Sequence, residues 1–164
     1  MKKMFIIGAV VTMMVMNGCS SKPKSKTNSM VFVEGGFFVS TNTNYADQNT
    51  KVNDFYISKY EITQKEWEAV MGDNPSKYMA QNHPVENITW YDSIEYCNKR
   101  SEQEGLQPYY NIDKDNEDPE NVSPYDDVKW IVTINEDANG YRLPTEVEWE
   151  YAATGGQKSK NTKY

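Results

Sequence analysis

The sequence contains one histidine, His83, and two cysteines, Cys19 and Cys97, among 164 residues. A single histidine excludes any mechanism that needs a histidine pair, and two cysteines do not make a disulfide framework. The chain also lacks a run of about 20 apolar residues, which a permanent transmembrane helix requires. Basic residues are the minority, 17 against 24 acidic ones, and the net charge of −7 opposes nucleic-acid binding. We therefore expect no nucleic-acid partner.

The remaining composition is typical of one domain with a modest core. Apolar residues make up 38% of the chain, aromatic residues 13% and charged residues 25%, which argues against disorder throughout. A chain of this length excludes a two-domain enzyme.

The first residues have the pattern of an export signal. Lys2 and Lys3 precede an apolar run from Met4 to Met16, which is too short to span a bilayer and fits the apolar region of a secretory signal. The run ends in Met-Asn-Gly-Cys, which resembles a bacterial lipobox with Cys19 as the residue that takes a lipid. We predict a lipoprotein signal peptide over 1–18 and lipidation of Cys19. The alternative is an ordinary signal peptide in which Cys19 is incidental.

A flexible tether is predicted over residues 19–29, because Lys22 to Ser29 contains nothing to bury. Loss of Lys2 and Lys3 leaves 15 basic against 24 acidic residues, a net charge of −9. Acyl chains on Cys19 would contribute roughly 0.8 kcal/mol per buried methylene. We therefore expect a protein anchored to a membrane of the bacterial cell envelope, facing outside the cytoplasm.

Short strands are predicted at the start of the folded part, which we place at residues 30–164. Met30 to Val39 contains two β-type runs around Gly35 and Gly36, which favours a hairpin. Phe55 to Ile62 alternates apolar and polar residues as a half-buried strand does.

Three helices are predicted from their capping residues. Thr63 with Glu66, and Thr145 with Glu148, form capping boxes, in which a hydroxyl and a carboxylate satisfy free backbone amides. Thr89, with an aspartate three residues later, opens the second helix. Glycines follow each helix: Gly72, Gly105 and the pair Gly155-Gly156. Short helices among short strands indicate an α+β domain.

The most acidic part of the chain lies between the second and third helices. Residues 111–127 contain seven acidic side chains, and we interpret them as a solvated loop. An EF-hand starting at Asp113 would need glycine at Asp118 and glutamate at Pro124, so we reject that calcium site. A strand is predicted to follow over 128–134.

One long segment carries a family resemblance. Arg142-Leu-Pro-Thr-Glu-Val-Glu-Trp-Glu-Tyr-Ala-Ala153, preceded by Asn139-Gly-Tyr, resembles the signature of the formylglycine-generating enzyme family, the sulfatase-modifying factor domains. Further landmarks are similar in the right order: 30–36, 55–67, 74–76 and 84–90. The resemblance implies an irregular, loop-rich fold related to C-type lectins. From the residues, the segment favours a structural role, with Trp149 and Tyr151 buried; a catalytic role is the alternative.

The resemblance also implies where the chemistry lies. The family's oxidases use two cysteine thiolates to bind copper(I), and these cysteines and the calcium sites lie in the C-terminal half of the domain. The sequence stops at Tyr164, and its end is typical of a loop inside a domain, so we expect an incomplete chain. We therefore assign it no catalytic residue and no metal ligand, and expect copper and calcium only with the missing half.

Cys97 and His83 each allow two interpretations. Cys97 is either a redox or metal thiol or, as we favour, a small buried core residue. His83 is either a ligand or, as we favour, a surface or capping residue. Four tyrosines could line a binding surface: Tyr45, Tyr78, Tyr109 and Tyr110.

Three functions compete at this point. The first is a lipid-anchored enzyme of the formylglycine-generating type, whose partner would be an exported sulfatase. The second is a non-catalytic binding or assembly module of a surface lipoprotein, with another envelope protein as partner. The third, a relative of the non-haem iron oxygenases, would need histidine ligands that this sequence does not supply.

Overall fold

A computed structural model describes residues 15–17, 30–39 and 49–158, with backbone alone for 15–17. The elements in chain order are β1 (Val15–Asn17), β2 (Met30–Val33), β3 (Gly36–Val39), β4 (Asn49–Val52), β5 (Phe55–Ser58), α1 (Gln64–Met71), α2 (Trp90–Gln103), β6 (Tyr110–Glu117), β7 (Trp130–Ile134), α3 (Glu146–Ala153) and a 3-10 turn (Gly156–Lys158). They form two compact units. One contains Thr63–Arg142, and the other contains Thr12–Ile62 and Leu143–Tyr164.

The unit that contains β1 to β5 and α3 has two small antiparallel sheets. One has the strand order β1-β5-β2, and the other pairs β3 with β4. The core of this unit lies between these strands and α3, and its buried members are Val52, Phe55, Ile57, Val147 and Tyr151.

The predicted hairpin over Met30 to Val39 is wrong, because its two strands belong to different sheets. The cause lies at Gly35, where a Cβ atom would come within 2.4 Å of the Val52 carbonyl oxygen. The Gly35 amide donates to Asp54 Oδ1 at 2.7 Å. The glycine therefore permits a close backbone approach to the β4–β5 turn, and the chain crosses from one sheet to the next instead of folding back.

The unit that contains Thr63–Arg142 holds α1, α2 and the β6–β7 ladder.

All three helices of the described residues follow the predicted threonine caps, and each has a complete capping box. At α1, for example, the Glu66 amide donates to Thr63 Oγ1 at 3.2 Å, and Glu66 Oε2 accepts from the Thr63 amide at 3.0 Å. Gly72 ends α1 in the left-handed conformation, with φ of 91°.

The acidic segment is only partly a loop. Its first half is β6, which pairs with β7 as an antiparallel ladder with an irregularity between Asp113 and Glu117. Asp113 accepts hydrogen bonds from the Asp115 amide at 3.0 Å and from Asn116 Nδ2 at 2.9 Å, which lower the pKa of its carboxyl. Alternation is hidden here because four of the eight strand residues are charged. The prediction of a loop over 111–127 is therefore wrong for its first half.

The fold is α+β, with small sheets and long connections, as predicted. Among the helices of the described ranges, none combines the length and the apolar character needed to cross a bilayer.

Candidate functional site

The predicted lipidation residue, Cys19, lies outside the described residues, so its lipidation stays a prediction. The predicted signal peptide except for residues 15–17, the predicted tether and Tyr45 also lie outside the described residues, and these predictions stay predictions. The three remaining tyrosines of the suggested surface differ from one another. Tyr78 is exposed, Tyr109 is half-buried and Tyr110 is buried.

Cys97 is enclosed in the interior of its unit. It lies on α2 with no exposed surface, and desolvation raises the pKa of its thiol to about 12. A thiol is nucleophilic and binds metal as the thiolate, and burial suppresses that form at neutral pH. The favoured interpretation of Cys97 as a core residue agrees with this environment. His83 is exposed, and its backbone carbonyl accepts from the Gln64 amide at 2.9 Å.

Within the described ranges, no three His, Cys, Asp or Glu side chains are grouped so that they could hold a metal ion.

The first part of the signature segment packs against α2. Tyr141 is fully buried; its amide donates to Ser101 Oγ at 2.8 Å and its hydroxyl donates to Glu104 Oε2 at 2.7 Å. Arg100 lies over the Tyr141 ring at 4.6 Å and donates from Nε to Glu104 Oε1 at 3.1 Å. A Cβ at Gly140 would meet the Gln107 carbonyl oxygen at 2.2 Å. These contacts give this part of the segment a structural role.

The second part of the signature forms α3. Tyr151 is 3% exposed, and its hydroxyl donates to the Glu34 carbonyl at 3.0 Å. Its ring meets Phe38 edge-on, with 5.6 Å between centroids. Trp149 is 44% exposed, so the expectation that it is buried is wrong. On a helix, positions 149 and 151 are about 200° apart, so one apolar face cannot contain both.

Gln64 organises a long connection that the sequence did not single out. It is 1% exposed, and its Oε1 accepts from the Ala80 amide at 2.9 Å and from Asn74 Nδ2 at 3.0 Å. Its Nε2 donates to the Tyr78 carbonyl at 2.9 Å. The loop that follows α1 is therefore fixed from inside, while Tyr78 and Met79 are each 71% exposed.

A second fixed loop lies between β6 and β7. Buried Asn121 donates from Nδ2 to the Tyr91 hydroxyl at 3.3 Å and to Asp126 Oδ2 at 3.0 Å, and its Oδ1 accepts from the Ser123 amide at 3.1 Å. Val122 and Tyr125 are 86% and 83% exposed. We call these two side chains, with the loop 118–127 that carries them, the apolar loop. Sequence reasoning missed it because the acidic residues dominate the segment.

Aromatic rings support the base of the apolar loop. Tyr91 meets Trp90 at 5.1 Å and Trp130 at 5.4 Å, both edge-on, and its hydroxyl donates to the Trp130 carbonyl at 3.4 Å. Lys114 lies over the Trp130 ring at 4.5 Å and pairs with Glu95. This unit therefore presents the exposed side chains of Val122 and Tyr125 on a frame that aromatic rings support.

Comparison with known proteins agrees with the resemblance in the signature segment. The sequence pattern of the sulfatase-modifying factor enzyme 1-like domain matches residues 16–164. The chain belongs to this family. Its fold is the lectin-like fold of the formylglycine-generating type, as the resemblance implied.

Named relatives extend the comparison. The chain is 52% identical over 165 residues to a protein from Paenibacillus barcinonensis named chaperone protein LppX, covering 100% of this chain and 59% of the relative. Two solved structures are similar. Treponema denticola variable protein 1 has a TM-score of 0.61 and 30% identity over 78% of this chain and 52% of its own. CarF has a TM-score of 0.58 and 31% identity over 79% and 57%. The chain thus spans little more than half the length of these proteins.

Proposed function

We propose that this chain belongs to a lipid-anchored protein of the bacterial cell envelope that assists the folding of exported proteins by binding them non-covalently. The observation that carries the proposal is the 52% identity, along the whole chain, to a relative named as a chaperone. Of the functions raised by the sequence, this corresponds to the non-catalytic module, with another exported or envelope protein as partner.

The anchor is part of the proposal. Hydrolysis of the Gly18–Cys19 peptide bond would leave a carboxylate on Gly18 and an amino group on Cys19, which would become the lipid-bearing first residue of the processed chain. The processed chain, with a net charge of −9, would then be repelled from an anionic membrane surface. Membrane attachment places the domain where unfolded chains emerge after export.

The chemistry of the described residues supports binding. The family's oxidase chemistry requires thiolates, and the thiol of Cys97 is buried and protonated at neutral pH. A folding helper needs exposed apolar groups that do not collapse onto the helper itself. The apolar loop meets this need, because buried Asn121 fixes the loop while Val122 and Tyr125 stay exposed.

The experiment is an aggregation assay with a chemically denatured secreted enzyme diluted into buffer. Light scattering is followed without the protein, with wild type, and with the double variant Val122→Ser/Tyr125→Ser. We expect wild type to suppress scattering at equimolar ratio. The double variant should lose about half or more of that suppression, because a few anchoring side chains carry most of the binding energy of such interfaces. Tyr60→Ser is the matched control, because Tyr60 is 66% exposed but lies in the other unit. Equal scattering with and without wild-type protein would contradict the proposal.

The second candidate is oxidation of a sulfatase cysteine to formylglycine, which family membership favours. Its test is mass spectrometry of a sulfatase-type cysteine peptide incubated with the protein, copper and oxygen. We expect the peptide mass to stay unchanged. Formylglycine in the peptide would replace the chaperone proposal with the enzymatic one.

A further inference from the structure

Strand β1 consists of residues that the proposed cleavage removes. It ends at Asn17, and the proposed cleavage follows Gly18. Its antiparallel register on β5 is set by three residue pairs: Val15 with Ile57, Met16 with Tyr56, and Asn17 with Phe55. Processing therefore strips one partner from the central strand of this sheet.

Strand β5, which remains after processing, is held in place by its other neighbours. On its other side, β5 pairs with β2 over all four residues, from Met30 opposite Ser58 to Val33 opposite Phe55. Phe55 is 1% exposed and Ile57 6% exposed, so core packing holds the strand in place. Among the described residues no strand other than β1 pairs with this side of β5. Without β1, this edge presents N–H and C=O groups that act as a template for another strand.

We propose that removal of the signal peptide opens this edge of β5, and that the open edge binds an extended apolar segment of another exported protein in the antiparallel register of β1. The inference rests on the proposed function for both the cleavage and the client. Before processing, this edge holds the end of the apolar run Met4 to Met16 in extended form, so an extended apolar segment is the occupant that fits it. In strand addition, main-chain hydrogen bonds supply the affinity.

A second copy of this chain is the less suitable occupant. Two processed chains would each have a net charge of −9, and their repulsion opposes edge-to-edge pairing. Strand β1 would also act as a temporary cover. Before processing, the chain's own β1 occupies the edge, so client binding would begin only after the signal has been removed.

The first test compares hydrogen exchange in two forms of the full chain, the processed lipoprotein and the uncleaved Cys19→Ser precursor, in the same detergent. The segment of interest is Phe55–Ser58, and the matched control is Tyr110–Asp113 of β6, whose partner β7 is present in both forms. We expect amides of β5 to exchange roughly tenfold faster in the processed form, with no change in β6. Intact mass establishes which form is present.

The second test adds a fluorescein-labelled peptide, Thr-Met-Met-Val-Met-Asn followed by two lysines. We expect it to raise the anisotropy with the processed protein but not with the precursor, and to slow exchange at Phe55–Ser58. A peptide with proline at the two positions that correspond to Val15 and Met16 should bind roughly fivefold or more weakly, because proline has no N–H to donate to β5.

Several results would overturn the inference. These are a mature chain that retains residues 15–17, equal exchange of β5 in both forms, equal binding of the proline peptide, and a processed chain that light scattering shows to be a dimer protected at β5. The aggregation assay separates this inference from the proposed function. Suppression of aggregation by the precursor would leave the chaperone proposal standing without the edge. Peptide binding at β5 without suppression of aggregation would support the open edge and contradict the chaperone proposal.

Discussion

Tyr151 and Trp149 lie two positions apart on α3, and the structure gives them different roles. Tyr151 is 3% exposed and belongs to the core of its unit, whereas Trp149 is 44% exposed. We predict that Tyr151→Ala is strongly destabilising and that Trp149→Ala is nearly tolerated. The signature segment alone would suggest the opposite order, because tryptophan is the larger side chain.

The magnitudes follow from the contacts. Removing a buried aromatic ring costs about 3–5 kcal/mol of unfolding free energy. About 1 kcal/mol of this belongs to the hydrogen bond from the Tyr151 hydroxyl to the Glu34 carbonyl, so Tyr151→Phe should cost about that much. Trp149 keeps nearly half of its surface in water, so Trp149→Ala should cost about 1.5 kcal/mol or less.

The assay is urea unfolding monitored by far-UV circular dichroism, because the tryptophan fluorescence signal would itself change in Trp149→Ala. Wild type should have the highest urea midpoint. The midpoints of Trp149→Ala and Tyr151→Phe should lie close together slightly below it, and that of Tyr151→Ala should lie well below both. A midpoint for Trp149→Ala at or below that of Tyr151→Ala would refute the assignment of the buried face of α3.

Three further predictions concern Cys97, Gln64 and Gly35. Iodoacetamide should label Cys97 at pH 8 only after unfolding. Because burial raises the pKa of its thiol from 9.0 to about 12, the free energy of unfolding should fall as the pH rises across that interval, and it should fall less in Cys97→Ala. Gln64→Ala should cost about 2 kcal/mol and expose the loop after α1 to trypsin at Lys77, since it leaves buried partners unsatisfied, whereas an unchanged cleavage rate would contradict the role of Gln64. Gly35→Ala should destabilise the chain by about 1–3 kcal/mol in thermal unfolding, because its Cβ would meet the Val52 carbonyl oxygen, and a neutral effect would show that the backbone yields there.

Local signals in the sequence predicted the helices well. The cap at Thr63 and the stop at Gly72 depend on hydrogen bonds within a few residues, which the sequence contains in full. The family resemblance in the signature segment was equally readable and gave the fold.

Long-range contacts explain what the sequence did not predict. The role of Gly35 depends on the β4–β5 turn about 19 residues away, and no local pattern states that the two backbones meet. Asn121 is a buried anchor because of Tyr91, which is 30 residues distant. Acidic side chains also hid β6, because exposed positions on a ladder tolerate charge and so erase the alternation on which strand prediction depends.

The central claim is that this protein assists folding by binding and not through a thiol. The most direct measurement is the aggregation assay repeated with Cys97→Ala, after circular dichroism has shown that the variant is folded. The account predicts that Cys97→Ala suppresses scattering of the denatured secreted enzyme to the same extent as wild type. Loss of suppression in a folded Cys97→Ala variant would contradict it and would place the buried thiol in the function.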